Sequence, residues 1–108
     1  MVGVLPRVPG VTDDFFNMQS TFSKMKRTAV FMNIGRGSTV NEDDLIKALK
    51  TQQIQGAVLD VFKVEPLPKD SEFWKLPNVL ITPHCADQDE DFMLRSMLIF
   101  GDNLEKFV

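Results

Sequence analysis

The stretch FMNIGRGSTVNEDDLIKAL, residues 31–49, decides the fold. It starts as an apolar run, stops at Gly35-Arg36-Gly37, and restarts with acids ahead of Leu45, Ile46 and Leu49. The first part has the form of a strand buried on both faces. The second has the form of an amphipathic helix with acids in its first turn, where the helix dipole favours them. The arginine between them raises a chemical question. A strand that only builds core has no use for an always-charged side chain at its tip, whereas a strand that delivers a cation to a ligand does.

The same alternation continues on both sides. VGVL, residues 2–5, is short, apolar and stopped by Pro6, so it reads as a buried strand. PRVPGVTDD is a loop by its prolines and glycine. NMQSTFSKMK, residues 17–26, predicts a short helix with Asn17 as cap and Met18, Phe22 and Met25 on one face. Further strands are predicted over TAVFMNI (28–34), GAVLDVF (56–62) and NVLITP (78–83), with one helical turn near residues 71–75. The acidic run Asp87, Asp89, Glu90 and Asp91 leads into a closing helix with an apolar face that includes Phe92, Met97 and Phe100. Strands alternating with helices imply βαβ units and a parallel α/β sheet.

Composition sets outer bounds. With 108 residues the chain is one domain or part of one, and 44% hydrophobic and 25% charged residues are ordinary for a globular protein. A net charge of −3 argues against sequence-blind nucleic-acid binding. One cysteine excludes an internal disulfide and suits a reducing compartment. No apolar run approaches the roughly 20 residues of a membrane span, and the N-terminus has no signal-peptide pattern. The expectation is a cytoplasmic protein with no membrane or nucleic-acid partner.

Ligands of parallel sheets bind outside the carboxyl ends of the strands. Three ionisable groups follow three successive strands there: Arg36, Glu65 and His84. Taken singly, they read as a solvated loop arginine, a surface carboxylate and a structural histidine. Taken together, they describe a site for a 2-hydroxy or 2-keto acid. Arginine's planar fork grips a carboxylate, and histidine exchanges a proton near neutral pH. A carboxylate on the imidazole's far nitrogen fixes its tautomer. None of these groups can take a hydride, which implies a nicotinamide cofactor. Asp60 interrupts AVLDVF, where an unpaired carboxylate is costly, so it pairs internally or faces a ligand. Cys85 neighbours His84 in what reads as an extended segment, so the two side chains are expected to point apart.

VFMNIGRGSTVNEDDLIKAL, GAVLDVFKVEPLP and LPNVLITPHCA, in this order, resemble the second half of the cofactor domain of the D-isomer-specific 2-hydroxyacid dehydrogenases. VLPRVPGVTDDFFN is similar to the segment after that domain's fourth strand. The resemblance implies half of a Rossmann-type doubly wound sheet, with four parallel strands and connecting helices. Residues 1–108 would be the C-terminal half of an NAD(P)-binding domain, ending in the helix that leads back toward a substrate domain. It implies Arg36 as the substrate-binding catalytic arginine, Glu65 as the histidine's partner and His84 as acid/base. It implies nicotinamide-side contacts from Leu5, Pro6, Ile34, Gly35, Arg36, Asp60, His84 and Ala86, with NAD or NADP as cofactor. The implied activity is interconversion of a D-2-hydroxy acid and a 2-keto acid such as glyoxylate or hydroxypyruvate, in a homodimer when the protein is complete.

The residues after the histidine depart from the family, which usually places small residues where this chain is acidic. The glycine-rich phosphate loop has no counterpart here. The expectation is an inactive 108-residue fragment of such an enzyme; the alternatives are a non-catalytic, corepressor-like relative or an inactive gene fragment. Connections between parallel strands are right-handed in about 98% of cases. Strands stepping one way would therefore put all connections on one face, leaving the other to the last helix at most.

Overall fold

The computed structural model describes residues 2–3 and 5–107. All strand pairings are parallel and the spatial order follows the chain, β1-β2-β3-β4. The body of the sheet is three strands: β2 (Val30–Asn33), β3 (Gly56–Leu59) and β4 (Val79–Ile81). The four full strands expected from the sequence are therefore reduced. The predicted strand over residues 2–5 is present only as a two-residue edge pairing, β1 (Val2–Gly3), beside Met32 and Asn33. Residue 4 lies outside the described residues, and Pro6 has no N–H to continue a ladder.

Helix α1 (Glu42–Lys50) joins β2 to β3. Asn41 caps it, its side chain accepting from the Asp44 N–H at 3.0 Å. Acids fill its first turn and Lys47 and Lys50 its last, matching the helix dipole at both ends. The Asp44 carboxylate also accepts from the Met18 N–H at 2.8 Å, tying the helix to the preceding loop. Leu45, Ala48 and Leu49 are buried against the sheet.

The register assigns each strand residue to a face. Phe31, Ala57 and Val79 pair in one row, and Asn33, Leu59 and Ile81 in another; these rows look toward α1. Phe31 anchors that side, meeting Phe16 and Phe22 edge-on at ring separations of 5.3 Å each. The opposite face carries Val30, Met32, Val58 and Leu80. Val30 is 42% exposed and Leu80 60% exposed, while Met32 and Val58 are half-buried.

The helix predicted over residues 17–26 is instead a run of turns ending in one 3-10 turn, Phe22–Lys24. The Asn17 carbonyl accepts from both Thr21 and Phe22, the pattern then tightens, and Met25 leaves it in an extended conformation. Ser20 and Ser23 donate to backbone carbonyls, which competes with helical pairing. The expected face survives: Phe22 is buried, and Met18 and Met25 pack against the core. Helix α2 (Phe92–Phe107) closes the chain and buries none of its residues. No helix among the described residues is long and apolar enough to cross a membrane.

Candidate functional site

The loops after β2, β3 and β4 build the site. After β2, Asn33 is buried and closes a turn. Its Oδ1 accepts from the Gly35 N–H at 3.1 Å and its Nδ2 donates to the Arg36 carbonyl at 3.1 Å. The Thr39 hydroxyl donates to the same carbonyl at 2.7 Å. The backbone of Arg36 is thus stapled while its side chain stays exposed, Nη1 donating to the Gly35 carbonyl at 2.7 Å. Gly37 explains the glycine after the arginine: a Cβ there would lie 1.9 Å from the Phe62 carbonyl carbon. The loops after β2 and β3 touch, backbone on backbone, and only glycine allows it.

After β3, Glu65 folds back onto its own loop, Oε1 accepting from the Phe62 N–H at 2.8 Å. Oε2 lies 2.7 Å from His84 Nδ1. Burial pushes the Glu65 carboxyl up, but the His84 and Phe62 hydrogen bonds outweigh it and hold the group below the ordinary carboxylate range. A carboxylate can only accept, so Nδ1 carries the proton and Nε2 is the nitrogen left for chemistry. The same Glu65 bond, with its charge, raises the His84 pKa. His84 sits at a φ of +52°, so the segment is not extended there as the sequence suggested. Cys85 turns instead toward Asp60, its N–H donating to Oδ1 at 3.0 Å. Burial and the Asp60 charge push the Cys85 thiol up, which keeps it a thiol and a poor nucleophile.

Arg36, Glu65 and His84 line one cleft of about 290 Å³ with Gly37, Phe62 and Ser38. Arg7 and Lys63 line it too, so three cations surround one carboxylate and one imidazole. Glu65 and His84 also wall a second, more apolar cavity of about 500 Å³ bounded by Asp60, Leu67, Trp74 and Thr82. Leu5, Pro6, Ile34, Gly35 and Ala86 line neither space. Ile34 is 39% exposed just before the arginine turn, while Leu5 packs against the core. The Ala86 N–H is occupied, donating to Asp60 Oδ2 at 2.9 Å. Asp60 is paired internally. Burial pushes its carboxyl up, but bonds from Thr82, Cys85 and Ala86 win and lower it.

Sequence reasoning missed Asn33, Thr39 and Arg7. Asn33 carried the same signal as Asp60, a polar residue interrupting an apolar strand. Thr39 had no such signal, because hydroxyls are common after strands. Arg7 gave none either, because its loop comes to the cleft only through the fold.

Residues 5–86 match the family described as D-isomer specific 2-hydroxyacid dehydrogenase, NAD binding domain. A glyoxylate/hydroxypyruvate reductase B from Klebsiella pneumoniae is 44% identical over 86 residues, spanning 80% of this chain and 27% of that protein. A probable 2-hydroxyacid dehydrogenase from Rhizobium etli, solved with NADP, HEPES and L(+)-tartaric acid, superposes with a TM-score of 0.78 at 39% identity. That likeness covers 97% of this chain and 34% of the other. The NADPH-dependent glyoxylate/hydroxypyruvate reductase of Sinorhizobium meliloti, solved with NADP and sulfate, gives 0.78 at 38% identity over 98% of this chain and 34% of its own. The chain therefore spans about a third or less of these three relatives.

Proposed function

Because the chain belongs to the D-isomer specific 2-hydroxyacid dehydrogenase family, we propose that it carries the proton-transfer and carboxylate-binding part of an NAD(P)-dependent 2-hydroxyacid dehydrogenase. One observation carries the reading: His84, held by Glu65 at 2.7 Å, shares a cleft with Arg36. In this reading Arg36 grips the substrate carboxylate through its fork. His84 Nε2 gives a proton to the forming hydroxyl during reduction, or removes it during oxidation. Glu65 keeps the tautomer that frees Nε2 and stabilises the imidazolium. Arg7 and Lys63 border the same cleft, each paired with a carboxylate, Asp13 and Asp14 in turn, so the charge that attracts an anionic substrate is chiefly that of Arg36. A nicotinamide, when bound, supplies or accepts the hydride that no side chain here can.

The strand-end residues fit the nicotinamide end of such a cofactor. Ile34 offers exposed apolar surface directly before Gly35 and Arg36, and Leu5, Pro6 and Ala86 belong to neighbouring strand-end loops. Asp60 retains acceptor capacity only on Oδ2. The substrate class is a small 2-keto or 2-hydroxy acid such as glyoxylate or hydroxypyruvate. Residues 1–108 form the C-terminal half of the cofactor domain, α2 leads toward a substrate domain, and the complete enzyme is a homodimer.

A chimera tests this. Residues 1–108 replace the matching segment of the Klebsiella pneumoniae reductase, and oxidation of NADPH by glyoxylate is followed. We expect turnover in the chimera and a loss of about 10²–10⁴-fold in kcat with His84→Ala. Arg36→Ala should raise KM as well as lower kcat. A folded chimera inactive toward 2-keto acids would support a non-catalytic relative instead.

A further inference from the structure

Asp60 is 2% exposed at the end of β3, and what it accepts comes from one place, the loop after β4. Its carbonyl accepts from the His84 N–H at 2.8 Å. Oδ1 accepts from the Thr82 hydroxyl at 2.5 Å and from the Cys85 N–H at 3.0 Å. Oδ2 accepts from the Ala86 N–H at 2.9 Å. These bonds straddle His84: one lies before it, one on it and two after it.

His84 needs such support. Its φ of +52° lies in the left-handed region that L side chains rarely adopt. A residue persists there only when its surroundings over-determine it. Successive N–H groups after a left-handed residue converge into a concavity that binds an anion, and here the anion is the Asp60 carboxylate. A carboxylate kept only for an external ligand would leave its oxygens open. A carboxylate has about four acceptor sites, and the loop takes both on Oδ1 and one on Oδ2.

We propose that Asp60 is the positioning residue of His84: it clamps residues 82–86 to the end of β3 and so sets the imidazole against Glu65. The proposal rests on His84 as the proton-transfer group, but its test reads the imidazole itself. A failed clamp and a failed dehydrogenase assignment are therefore told apart.

The experiment is nuclear magnetic resonance on the nitrogen-labelled 108-residue chain, following the His84 tautomer and amide exchange at Cys85 and Ala86. The wild type should hold the Nδ1–H tautomer. Asp60→Asn keeps the shape but puts an amide nitrogen where an acceptor stood. It should speed exchange at the two amides about tenfold or more, the loss of one charge-assisted hydrogen bond. It should also release His84 to a mixed tautomer population and a lower pKa. Thr82→Val keeps the Asp60 charge and should give the same changes at smaller amplitude, which loss of charge alone cannot do. Glu65→Gln should release the tautomer while leaving exchange at 85 and 86 unchanged. If Asp60→Asn fails to fold, as the near-ultraviolet signal of Trp74 would report, Thr82→Val decides. Wild-type tautomer and exchange in Thr82→Val, or in a folded Asp60→Asn, would overturn the proposal.

Discussion

The β2–α1–β3 unit and helix α2 are both apolar helix-bearing segments, yet they end in opposite conditions. In the first, the apolar groups on the side of the sheet that α1 covers are packed within the chain: Phe31, Leu45, Leu49 and Leu59 are each at most 2% exposed. In the second, Met97, Leu98 and Phe100 are each at least 59% exposed. Composition does not separate them. What separates them is that α1 runs between two paired strands, so its apolar stripe returns onto the sheet it connects. Helix α2 follows β4, and none of its residues is buried. Its exposed Met97, Leu98 and Phe100 lie within one helix, a concentration of apolar side chains of the kind that marks an interaction surface.

The comparison breaks most easily at Gly37, because there the unit's two loops meet. Gly37→Ala would place a Cβ 1.9 Å from one backbone atom of Phe62 and 2.1 Å from another. Backbone cannot swing aside as a side chain can, so we expect a loss above about 3 kcal/mol or no folded protein. Phe31→Ala, which removes the ring between Phe16 and Phe22, should cost about 3–5 kcal/mol. Urea midpoints at constant slope measure both. A midpoint within error of the wild type for either variant would show that the unit is looser than its contacts imply.

The α2 side predicts the reverse. Leu98→Glu with Phe100→Glu changes two side chains that are 59% and 68% exposed. Folding stability should shift by only about 0.5 kcal/mol. Self-association should fall sharply, because the wild-type chain is expected to cover this surface with second copies of itself. Light scattering across a concentration series checks the difference. A wild type that stays monomeric at high concentration would show that the exposed helix face is tolerated.

The cap is a smaller lever on the same contrast. Asn41→Ala removes the bond to the Asp44 N–H and should cost about 1 kcal/mol. No loss would mean that α1 is held by packing alone.

How much of this the sequence carried depends on the kind of information. The positions of β2 to β4 and of α1 were readable because their apolar period and end signals agree, but the burial expected on both faces of the strands fails at β4, where no residue is buried. The strand-end position of Arg36, Glu65 and His84 followed from the strands, since sheet topology brings carboxyl ends together. The segment 17–26 was misread because its apolar spacing is helical while Ser20 and Ser23 bond the backbone instead. The fourth strand was overcounted because apolar character does not report how far a ladder extends past a proline. The clamp on His84 was unreadable, since nothing in HCAD announces a left-handed residue or says that Asp60, 24 positions earlier, faces it. Pairing that depends on loop conformation leaves no period in the sequence.

The smallest effect belongs to the Glu65–His84 pair and shows as a pH window. The two side chains are 35% and 46% exposed, so solvent screens the pair and its share of stability is modest. The signs are opposite at the two ends. His84 has its pKa raised from an ordinary 6.5; its contribution is complete below that value and is lost as pH rises through the raised one. Glu65 has its pKa lowered from an ordinary 4.5; its contribution is complete above that value and is lost as pH falls through the lowered one. Both are therefore whole between about 4.5 and 6.5, and the pair titrates as a unit. Subtracting the pH profile of stability of Glu65→Gln from that of the wild type should give a bell with its plateau in that window. Glu65→Gln keeps the shape of the side chain and removes the charge, so packing cancels in the difference. A flat difference curve would mean that the pair contributes nothing to the fold and that its geometry is held entirely by the loops on either side.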